Sequence, residues 1–564
     1  MLSFTLLEGE AAVSWAQENE SAWTALLADC TWSTPYVAPE FSVTWWTHYS
    51  TDWHAALVFA RAPDGELRGV MPLARQGKAL KGVGANQAEY QGWVCRDSDS
   101  DAFAKGALAL LAERYPHHRV ELRYVLDAPC LALLERGGTL GKRTLLRTHH
   151  RPLLEVNSSA VAKALRKKGN KSKLSRLRRL GALSFRRLRT AEELAAVFDD
   201  FIAAYDFRQG AQYDVMRFAD DTRKADFHLD WMRRAPDQLY VTAMMLNERI
   251  AAAMICVRSR RELHLAMSCY RPELSAHSPG KLLVYETARM AAADGLQLLD
   301  LTPGGDTWKD AMATQRQPTA EALIYANALQ AQLRRPREYL RTSLRRALWA
   351  RGLPPHRIKQ QVVRALRMMP EQVAERTRAL VRPRPTHLIY HQNPSAREYG
   401  ERPPGLAVNS LQAVNAFATA LPKSYRQAFL VGALERLAAG ERIYTLEHDG
   451  RIVSSGWLAE RDECQVPGFS GRFALPRPAP MVLELLTLSA QRRQGHGRQL
   501  LEGMLQDMAE AGWRDSYLCV RSDNAACRKL VERAGFRLLA QLGRPAASSD
   551  GNYRIAYSKM ETPP

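Results

Sequence analysis

The chain has 564 residues, of which 46% are hydrophobic and 24% are charged, and its formal net charge is +20. This length exceeds what one hydrophobic core supports and predicts three or four domains, while the composition is typical of a globular protein. The sequence contains no run of about 18 apolar residues, which argues against a membrane-spanning helix.

The N-terminal residues and the cysteines both bear on the cellular compartment. Residues 1–8 lack a basic segment and reach an acidic residue early, so we expect no secretory signal. The eight cysteines are scattered without metal-ligand spacing. These features favour a cytoplasmic protein without structural zinc, with peripheral contact to the inner membrane as a further option.

The positive charge is concentrated in two segments. Residues 163–189 and 334–384 each carry +12, so the rest of the chain sums to about −4. Dense basic charge binds phosphates through Coulomb attraction and counterion release, and three partners fit: tRNA or another nucleic acid, an anionic membrane surface, or an acidic polymer. Solvated helices without a partner remain the simpler alternative.

Residues 1–155 alternate aromatic-rich and β-like runs. Two of these runs, Ala55–Ala62 and Leu67–Leu73, predict a hairpin across Asp64-Gly65. An early aromatic cluster is compatible with sugar stacking, but core packing is the favoured interpretation. The cluster contains Trp23, Trp32, Tyr36, Trp45, Trp46 and Trp53.

Residues 156–328 change in pattern. Ser158 is expected to cap a helix that runs through the first basic segment, and Ala191–Tyr205 reads as a second helix. Three β-like runs follow, then a loop of small residues, a helix and a further strand. The runs are Leu239–Leu246, Arg249–Val257 and Glu262–Cys269, the loop is Ser278-Pro279-Gly280, and the last strand is Leu296–Leu301.

Functional groups follow that last strand. Asp300, Asp306, Trp308 and Lys309 lie at its end and in the next loop, where α/β sheets present such groups. Contact between Lys309 and an anionic substrate is one option, and a solvated lysine is the favoured one.

Residues 329–404 are predicted to form an arginine-rich helical linker, interrupted by prolines. Residues 405–564 then open with a helix, Ser410–Leu421, and a hairpin across Asp449-Gly450. An apolar strand, a glycine loop, an amphipathic helix and two more strands follow. Their ranges are Met481–Leu488, residues 492–497, Arg498–Glu510, Ser516–Val520 and Tyr553–Met560.

The glycine loop carries the most specific chemical signal. A strand, a glycine-rich loop and a helix place backbone N–H groups and a helix N-terminus around a pyrophosphate. A solvated turn is the alternative. The predicted binding residues are Arg492, Arg493, Gln494, Gly495, His496, Gly497 and Arg498, with the imidazole of His496 expected to face solvent.

This order, continued by Asn524 and by Gly535-Phe536, resembles the GNAT (GCN5-related) N-acetyltransferases over about residues 405–560. The resemblance implies acetyl-CoA or another acyl-CoA as co-substrate, no metal, and transfer to an amine or sugar acceptor. It also implies that Leu486, Thr487 and Asn524 contact the co-substrate, with backbone N–H groups near Thr487 polarising the carbonyl and Glu484 as general base.

The general acid departs from the family pattern. Family members commonly have a tyrosine where this sequence has Val531, and Cys527 stands where a small residue is usual. Three options remain open: the thiolate leaves without that acid, Tyr517 substitutes for it, or the domain binds CoA without efficient catalysis.

Residues 20–315 resemble the CelD/BcsL-like acetyltransferases of bacterial cellulose and exopolysaccharide synthesis, which are GNAT relatives. The resemblance rests on Pro35-Tyr36, Trp45-Trp46, the first basic segment, Ser278-Pro279-Gly280 and the motif ending at Lys309. It implies an α/β (α+β) fold of tandem GNAT-like mixed sheets flanked by helices and joined by the arginine-rich linker. The expected divisions are 1–155, 156–328, 329–404 and 405–564.

Two other functions stay open. The first half is also similar to Fem-type peptidyltransferases, which implies an aminoacyl-tRNA-dependent transferase. A non-catalytic CoA-sensing or scaffold protein, recruited to a membrane by the arginine-rich segment, is the alternative that is not an enzyme.

Overall fold

The computed structural model describes residues 2–85, 87–126, 128–135, 138–350, 386–465 and 472–542. The chain divides into two compact units. The first comprises Met1–Tyr205, Arg217–Arg271 and His277–Pro355, and the second comprises Asp206–Met216, Pro272–Ala276 and His356–Pro564. Residues 351–385 of the predicted arginine-rich linker and the predicted strand Tyr553–Met560 lie outside the described residues.

The first unit begins with a strand, three helices and a hairpin. Its elements through the first basic segment are β1 (Ser3–Glu8), α1 (Glu10–Glu18), α2 (Glu20–Ala28), α3 (Pro39–Tyr49), β2 (His54–Arg61), β3 (Leu67–Gln76), β4 (Ala79–Gly82), β5 (Val94–Cys95), α4 (Ser100–Arg114), β6 (Arg119–Val125), α5 (Ala128–Glu135), α6 (Thr139–Arg143), β7 (Thr144–Glu155), α7 (Ser159–Arg166) and α8 (Lys168–Leu180).

The chain then continues through the predicted strands and helix. These elements are β8 (Leu183–Leu188), α9 (Ala191–Tyr213), α10 (Arg223–Arg234), β9 (Leu239–Leu246), β10 (Arg249–Arg258), β11 (Glu262–Tyr270), α11 (Pro279–Ala293), β12 (Leu298–Asp300), α12 (Thr307–Met312), β13 (Gln315–Tyr325) and α13 (Ala328–Ala350). The predicted hairpin across Asp64-Gly65 and the three β-like runs are therefore present.

One mixed sheet runs through the first unit. Among the described strands its order is β1-β2-β3-β4-β6-β13-β7-β12-β11-β10-β9-β8, with β5 paired to β3. The pairs β4/β6 and β11/β12 are parallel. Because β13 inserts between β6 and β7, strands from both sides of the predicted division at residue 155 share this sheet.

The early aromatic cluster forms core. The side chains of Trp23, Trp45 and Trp46 are at most 2% exposed, and Tyr36 is 1% exposed. The indole Nε1 of Trp23 donates to the Val37 carbonyl oxygen, so its polar atom is satisfied inside the protein. A sugar-stacking platform is thereby contradicted for these residues, and the core interpretation holds.

The first basic segment forms two helices where one was expected. Ser158 caps α7 as predicted, because its Oγ accepts from the Val161 N–H at 3.4 Å. The chain then becomes extended at Lys167, with φ −58° and ψ 127°, and α8 starts again at Lys168. Repulsion among neighbouring cations and the helix-weakening Gly169 are consistent with this break.

The second unit starts earlier than the sequence suggested. Its elements are β14 (His387–Gln392), β15 (Leu406–Val408), α14 (Leu411–Ala420), α15 (Lys423–Ala438), β16 (Arg442–His448), β17 (Arg451–Gln465), β18 (Arg472–Thr487), α16 (His496–Glu510), β19 (Ser516–Arg521), α17 (Ala525–Arg533) and β20 (Arg537–Leu542). Strand β14 lies within the range assigned to the linker.

The sheet of the second unit has the described order β15-β16-β17-β18-β19-β14-β20. Strands β18 and β19 are parallel, and β14 pairs antiparallel with both β19 and β20. Helix α16 packs its buried face, including Leu500, Leu501 and Met504, on the core beneath it. These layers confirm the predicted α/β class with two mixed sheets. Within the described residues, no helix is both long and apolar enough to cross a bilayer.

Candidate active site

A gap opens between β18 and β19 in the second unit. The two strands pair only at Met481 with Tyr517 and at Val482 with Leu518. Beyond this point β18 continues to Thr487 and β19 to Arg521 without pairing to each other. The carboxyl ends of the two parallel strands therefore diverge, which leaves room between them for an extended ligand.

A bulge in β18 lies where the gap begins. Glu484 has a left-handed φ of 47°, and both Glu484 and Leu485 lie opposite Gly456 of β17. A Cβ on Gly456 would stand 2.8 Å from a Leu485 methyl and 3.2 Å from the Met504 sulfur. Glycine at 456 thus lets Leu485 pack toward α16, and the bulge leaves one extra residue of β18 outside the regular ladder.

The loop after β18 ends at the N-terminus of α16. Arg493 and Gly495 both have left-handed backbones, with φ of 67° and 89°, and glycine avoids the strain that a side chain would add at the second position. In the described part of the chain, the N–H groups of residues 494–497 have no backbone acceptor. The loop therefore presents unpaired donors and the positive end of a helix dipole, as an anion requires.

Three arginines surround these donors. Arg492, Arg493 and Arg498 are exposed, and the Nε of Arg492 donates to the Thr487 carbonyl oxygen at 3.3 Å. Arg498 also donates to Glu502 at 2.9 Å, one helical turn further on. The cationic surface at this helix start suits a pyrophosphate.

Gly497 lies against the end of β18. A Cβ at this position would come within 3.3 Å of Thr487 Oγ1, and that hydroxyl is hydrogen bonded to Ser454 Oγ at 2.9 Å. The loop and the strand thus approach closely, and a larger residue at 497 would push them apart.

The expectation that the imidazole of His496 faces solvent is wrong. The side chain is 3% exposed, its ring centroid lies 4.6 Å from that of His448, and its Nε2 is 3.2 Å from Gln494 Oε1. The helix begins at His496, two residues before its predicted start at Arg498, which turns this side chain onto the neighbouring strand. Its backbone N–H remains part of the loop.

The three predicted site residues of β18, Glu484, Leu486 and Thr487, have side chains in different surroundings. Glu484 is 65% exposed and its Oε1 lies 2.5 Å from Arg436 Nη2 on α15. Leu486 packs on the apolar cluster of α14 with Phe417. Thr487 points toward the start of α16. The bulge itself is centred two residues before Thr487.

Asn524 and Gly535 hold the two ends of α17. The Asn524 side chain accepts from the Cys527 N–H at 3.1 Å, an N-cap bond. At the other end Gly535 has φ 94°, and the N–H groups of Gly535 and Phe536 bond to the carbonyls of Glu532 and Val531. This is a Schellman motif. The structural role of the Asn and Gly-Phe signature is therefore visible.

The position usually held by a family tyrosine is part of the core here. Val531 of α17 is 0% exposed and packs in the same core cluster as Leu500 and Met504 of α16. Tyr517 lies in a separate cluster with Ile389 and Met481, and burial raises the pKa of its phenol. Burial also raises the pKa of the Cys527 thiol.

The first unit repeats the parallel strand pair and the bulge. Strand β12 pairs in parallel with β11 over its whole length and ends at Asp300, opposite His264. Beyond this point Ala266 of β11 is an extra residue opposite β10. Helix α11 follows Ser278, whose φ of 50° is left-handed like that of Gly495. Lys173 of α8 donates to Ser278 Oγ at 2.7 Å. A basic side chain thus occupies the helix start that a glycine loop leaves open in the second unit.

A buried polar cluster surrounds the end of β12. Asp300 accepts from Tyr90 at 2.5 Å and from Arg151 at 3.2 Å, and His264 Nδ1 lies 3.2 Å from the same oxygen. Burial opposes ionisation, but the hydrogen bond from His264 and the charges of His264 and Arg151 outweigh it and lower the pKa of Asp300.

This cluster also contains a potential metal-ligand set. Glu262, His264 and Asp300 bring ligand atoms within 4.8 Å of one another. However, the Nη1 of Arg151 lies 2.7 Å from Glu262 and 3.2 Å from Asp300. The guanidinium therefore takes the place that a cation would need, so these residues do not fit a metal.

The interpretation of Lys309 as a solvated lysine is wrong. Its side chain is 12% exposed, and Nζ donates to the Thr302 carbonyl at 3.2 Å and lies 3.3 Å from Thr302 Oγ1. Thr302 has a left-handed φ of 62°, so the lysine supports a strained turn after β12.

Two separate segments match family models. Residues 165–310 match the acetyltransferase (GNAT) domain model, and residues 412–536 match the acetyltransferase (GNAT) family model. The chain carries two GNAT-type segments. The matches extend to the superfamily and not to a CelD/BcsL-like family. The second GNAT-type segment contains the whole gap, bulge and loop described above.

No curated protein matches the chain. Among solved structures, it is similar to L-PGS from Bacillus licheniformis (12% identity, 57% of this chain and 95% of that one, TM-score 0.37). It is also similar to FemX (10%, 56% and 98%, 0.38) and to a tandem GNAT protein from the clavulanic acid biosynthesis pathway (11%, 64% and 96%, 0.22). Sequence identities and TM-scores as low as these carry no information about the substrate of this chain.

Sequence reasoning missed three contributors to the site. Ser454 forms a hydrogen bond with Thr487, Gly456 accommodates the bulge, and β14 pairs with β19 in the sheet. Gly456 was detectable as a glycine inside an alternating strand, which often marks a bulge or a close backbone approach. The sequence around Ser454 contains no comparable signal.

Proposed function

We propose that the second GNAT-type segment binds an acyl-CoA and transfers its acyl group to an amine or hydroxyl acceptor. The observation that carries the proposal is the set of N–H groups in residues 494–497, at the N-terminus of α16, that find no backbone acceptor among the described residues. The three exposed arginines around them suit the phosphates, and the gap between β18 and β19 suits the extended remainder of the co-substrate. Acetyl-CoA is the first candidate.

The acyl-CoA supplies an activated thioester whose C–S bond breaks as the acceptor nitrogen or oxygen bonds to the carbonyl carbon. The loop holds the pyrophosphate, so the carbonyl is positioned near the bulge at Glu484 and Leu485. Backbone N–H groups of that bulge would stabilise the developing oxyanion. Glu484 would accept the proton that the acceptor loses, directly or through a water molecule.

The departing sulfur needs a proton from elsewhere. Val531 cannot donate one, and the phenol of Tyr517 belongs to a cluster distinct from the one beneath α16. We therefore propose that the thiolate leaves without a dedicated protein acid and takes its proton from solvent. Because a thiol has a pKa of about 8.5, its thiolate is stable enough to leave near neutral pH without prior protonation.

The chemical identity of the acceptor is a more specific part of this proposal. A sugar or amino-sugar acceptor in exopolysaccharide or envelope synthesis follows from the resemblance of residues 20–315 to CelD/BcsL-like enzymes. The aminoacyl-tRNA alternative is favoured by one observation in the first unit, where Lys173 of the basic helix α8 reaches the start of α11. Salt-sensitive tRNA binding that is weakened by Lys173→Gln would support that alternative.

The direct test uses acetyl-CoA labelled in the acetyl group, with pools of amines, amino sugars and hydroxylated sugars. Labelled acceptor formed together with an equal amount of free thiol supports transfer. Thiol without labelled acceptor indicates hydrolysis, and the search moves to other acceptors. Binding of acetyl-CoA without thiol release across the panel contradicts catalysis and favours the CoA-sensing or scaffold alternative.

A further inference from the structure

Helix α13 exposes a row of large apolar side chains. The spacing of four, seven and four residues between its leucines places them on one face of the helix. Large apolar side chains exposed in a row are uncommon on a protein that has no partner at that surface. The row, called the leucine stripe below, comprises Leu329 at 65% exposure, Leu333 at 73%, Leu340 at 70% and Leu344 at 59%.

The opposite face of α13 is anchored to the first unit. Glu338 lies 2.5 Å from Arg147 Nη2, and Ala331 is fully buried. Arg335 donates to the carbonyl oxygens of Gly141 and Lys142, each at 3.3 Å. The orientation of the helix is therefore set by contacts on one side, and these contacts turn the leucine stripe away from the unit.

Arginines flank the stripe. Arg334 and Arg337 are exposed, and within the described residues neither forms an ion pair. Both line a cavity of about 300 Å³ with Arg119, Arg147, Glu121 and Glu338. Four guanidinium groups against two carboxylates leave this cavity cationic, so it favours an anionic group such as a phosphate.

We propose that α13 docks the protein onto an anionic lipid bilayer surface. The leucine stripe would enter the boundary between headgroups and acyl chains, and Arg334 and Arg337 would contact the lipid phosphates. An apolar helix face bordered by cations is the pattern of helices that lie in a membrane interface. A protein partner would need to match both features, whereas an anionic bilayer supplies both without further specificity.

The test is flotation of the full-length protein with vesicles. Vesicles of phosphatidylcholine with about one third phosphatidylglycerol are compared with vesicles of phosphatidylcholine alone at physiological salt. The proposal predicts binding to the anionic vesicles and at least tenfold weaker binding to the neutral ones. The Leu333→Gln/Leu340→Gln variant is predicted to lose at least tenfold in affinity for the anionic vesicles.

Two charge variants serve as a matched pair. Arg334→Gln/Arg337→Gln is predicted to weaken binding to anionic vesicles by about 30-fold, since each cation near such a surface contributes about fivefold in affinity. Arg178→Gln/Arg179→Gln removes the same charge from exposed positions of α8 and is predicted to change binding by less than threefold. Equal losses in the two variants would overturn the proposal, because they would show that charge alone drives binding.

Three further outcomes would overturn it. One is absence of wild-type binding to anionic vesicles. Another is a wild-type oligomer that becomes monomeric in Leu333→Gln/Leu340→Gln, since the stripe would then face a second copy. The third is a lower free energy of unfolding in that variant with unchanged vesicle binding, which would show that the chain itself covers the stripe. Leu538→Gln, at a 37% exposed leucine of β20, is the control for replacing an exposed leucine. None of these results depends on whether acyl-CoA binds.

Discussion

Nη2 of Arg436 lies 2.5 Å from Oε1 of Glu484. The first residue belongs to α15, and the second stands in the bulge of β18 with a left-handed backbone. The ion pair holds the carboxylate on the side of the strand opposite Leu485, which packs toward α16. Glu484 therefore lies two residues beyond Val482, the last residue of β18 that pairs with β19, and its carboxylate faces α15.

If Glu484 is the general base, Glu484→Gln should lower kcat by about 100- to 10,000-fold. Acyl-CoA affinity should remain unchanged. Arg436→Gln separates a positioning effect from a catalytic one, because it removes the ion pair and keeps the carboxylate. Equal kcat values for Glu484→Gln and wild type would exclude the assignment.

Arg492→Gln/Arg493→Gln should weaken acyl-CoA binding by about 10- to 100-fold, because charge-assisted hydrogen bonds to phosphate are lost. The measurement is calorimetric titration at two salt concentrations. Arg514→Gln is the matched control, since Arg514 is exposed beyond the opposite end of α16. A similar loss in the control variant would point to general charge attraction in place of a loop site.

Asn524→Ala tests whether this residue contacts the co-substrate or only caps α17. Loss of the bond to the Cys527 N–H should cost about 1 kcal/mol of unfolding free energy. A capping role predicts unchanged acyl-CoA affinity, while a binding role predicts reduced affinity in addition. Denaturant unfolding and titration on the same preparation distinguish the two, and Asn524→Ser, which keeps a capping group, should recover most of the stability.

The buried imidazole of His228 should make the stability of the first unit depend on pH. Burial and the nearby Lys224 lower the pKa of its imidazole from 6.5 to about 3. Below pH 6.5 the unfolded chain takes up a proton at His228 and the folded chain does not. The contribution of His228 to the free energy of unfolding is therefore fully present above pH 6.5 and is lost as the pH falls toward 3. The expected slope is about 1.4 kcal/mol per pH unit.

Denaturant unfolding between pH 4 and pH 7 measures this slope. His228→Gln should flatten it, although the variant should also lose stability at pH 7 because His228 Nδ1 lies 2.6 Å from the Lys224 carbonyl. His54→Gln, at an exposed position, should leave the slope unchanged. An unchanged slope in His228→Gln would contradict the assignment.

Local patterns in the sequence predicted local structure well. Asp64-Gly65 and Asp449-Gly450 lie in the predicted hairpins, and Gly495 has the left-handed backbone that its loop requires. Asn524 caps the helix that follows it. In each case the determining interactions lie within a few residues of one another, so the sequence alone contains them.

Features that depend on distant residues could not be predicted in this way. The buried orientation of His496 depends on His448, and the bulge at Glu484 depends on Gly456 in the next strand. Strand β14 was assigned to the linker because prolines follow it closely in the sequence. Its place between β19 and β20 is set only by the folded sheet. The face occupied by Glu484 was undecidable from alternation, because a bulge shifts the register by one residue.

The most direct measurement is a calorimetric titration of acetyl-CoA into wild type and into Gly495→Glu/Gly497→Glu. These substitutions add bulk and negative charge at the start of α16, where the residue at 495 must also adopt φ 89°. Unfolding curves of both proteins check that the variant remains folded. The account predicts binding to wild type and its loss in the folded variant. Undiminished binding to the variant would contradict a site in the second unit, and absence of binding to wild type would contradict the acyl-CoA proposal itself.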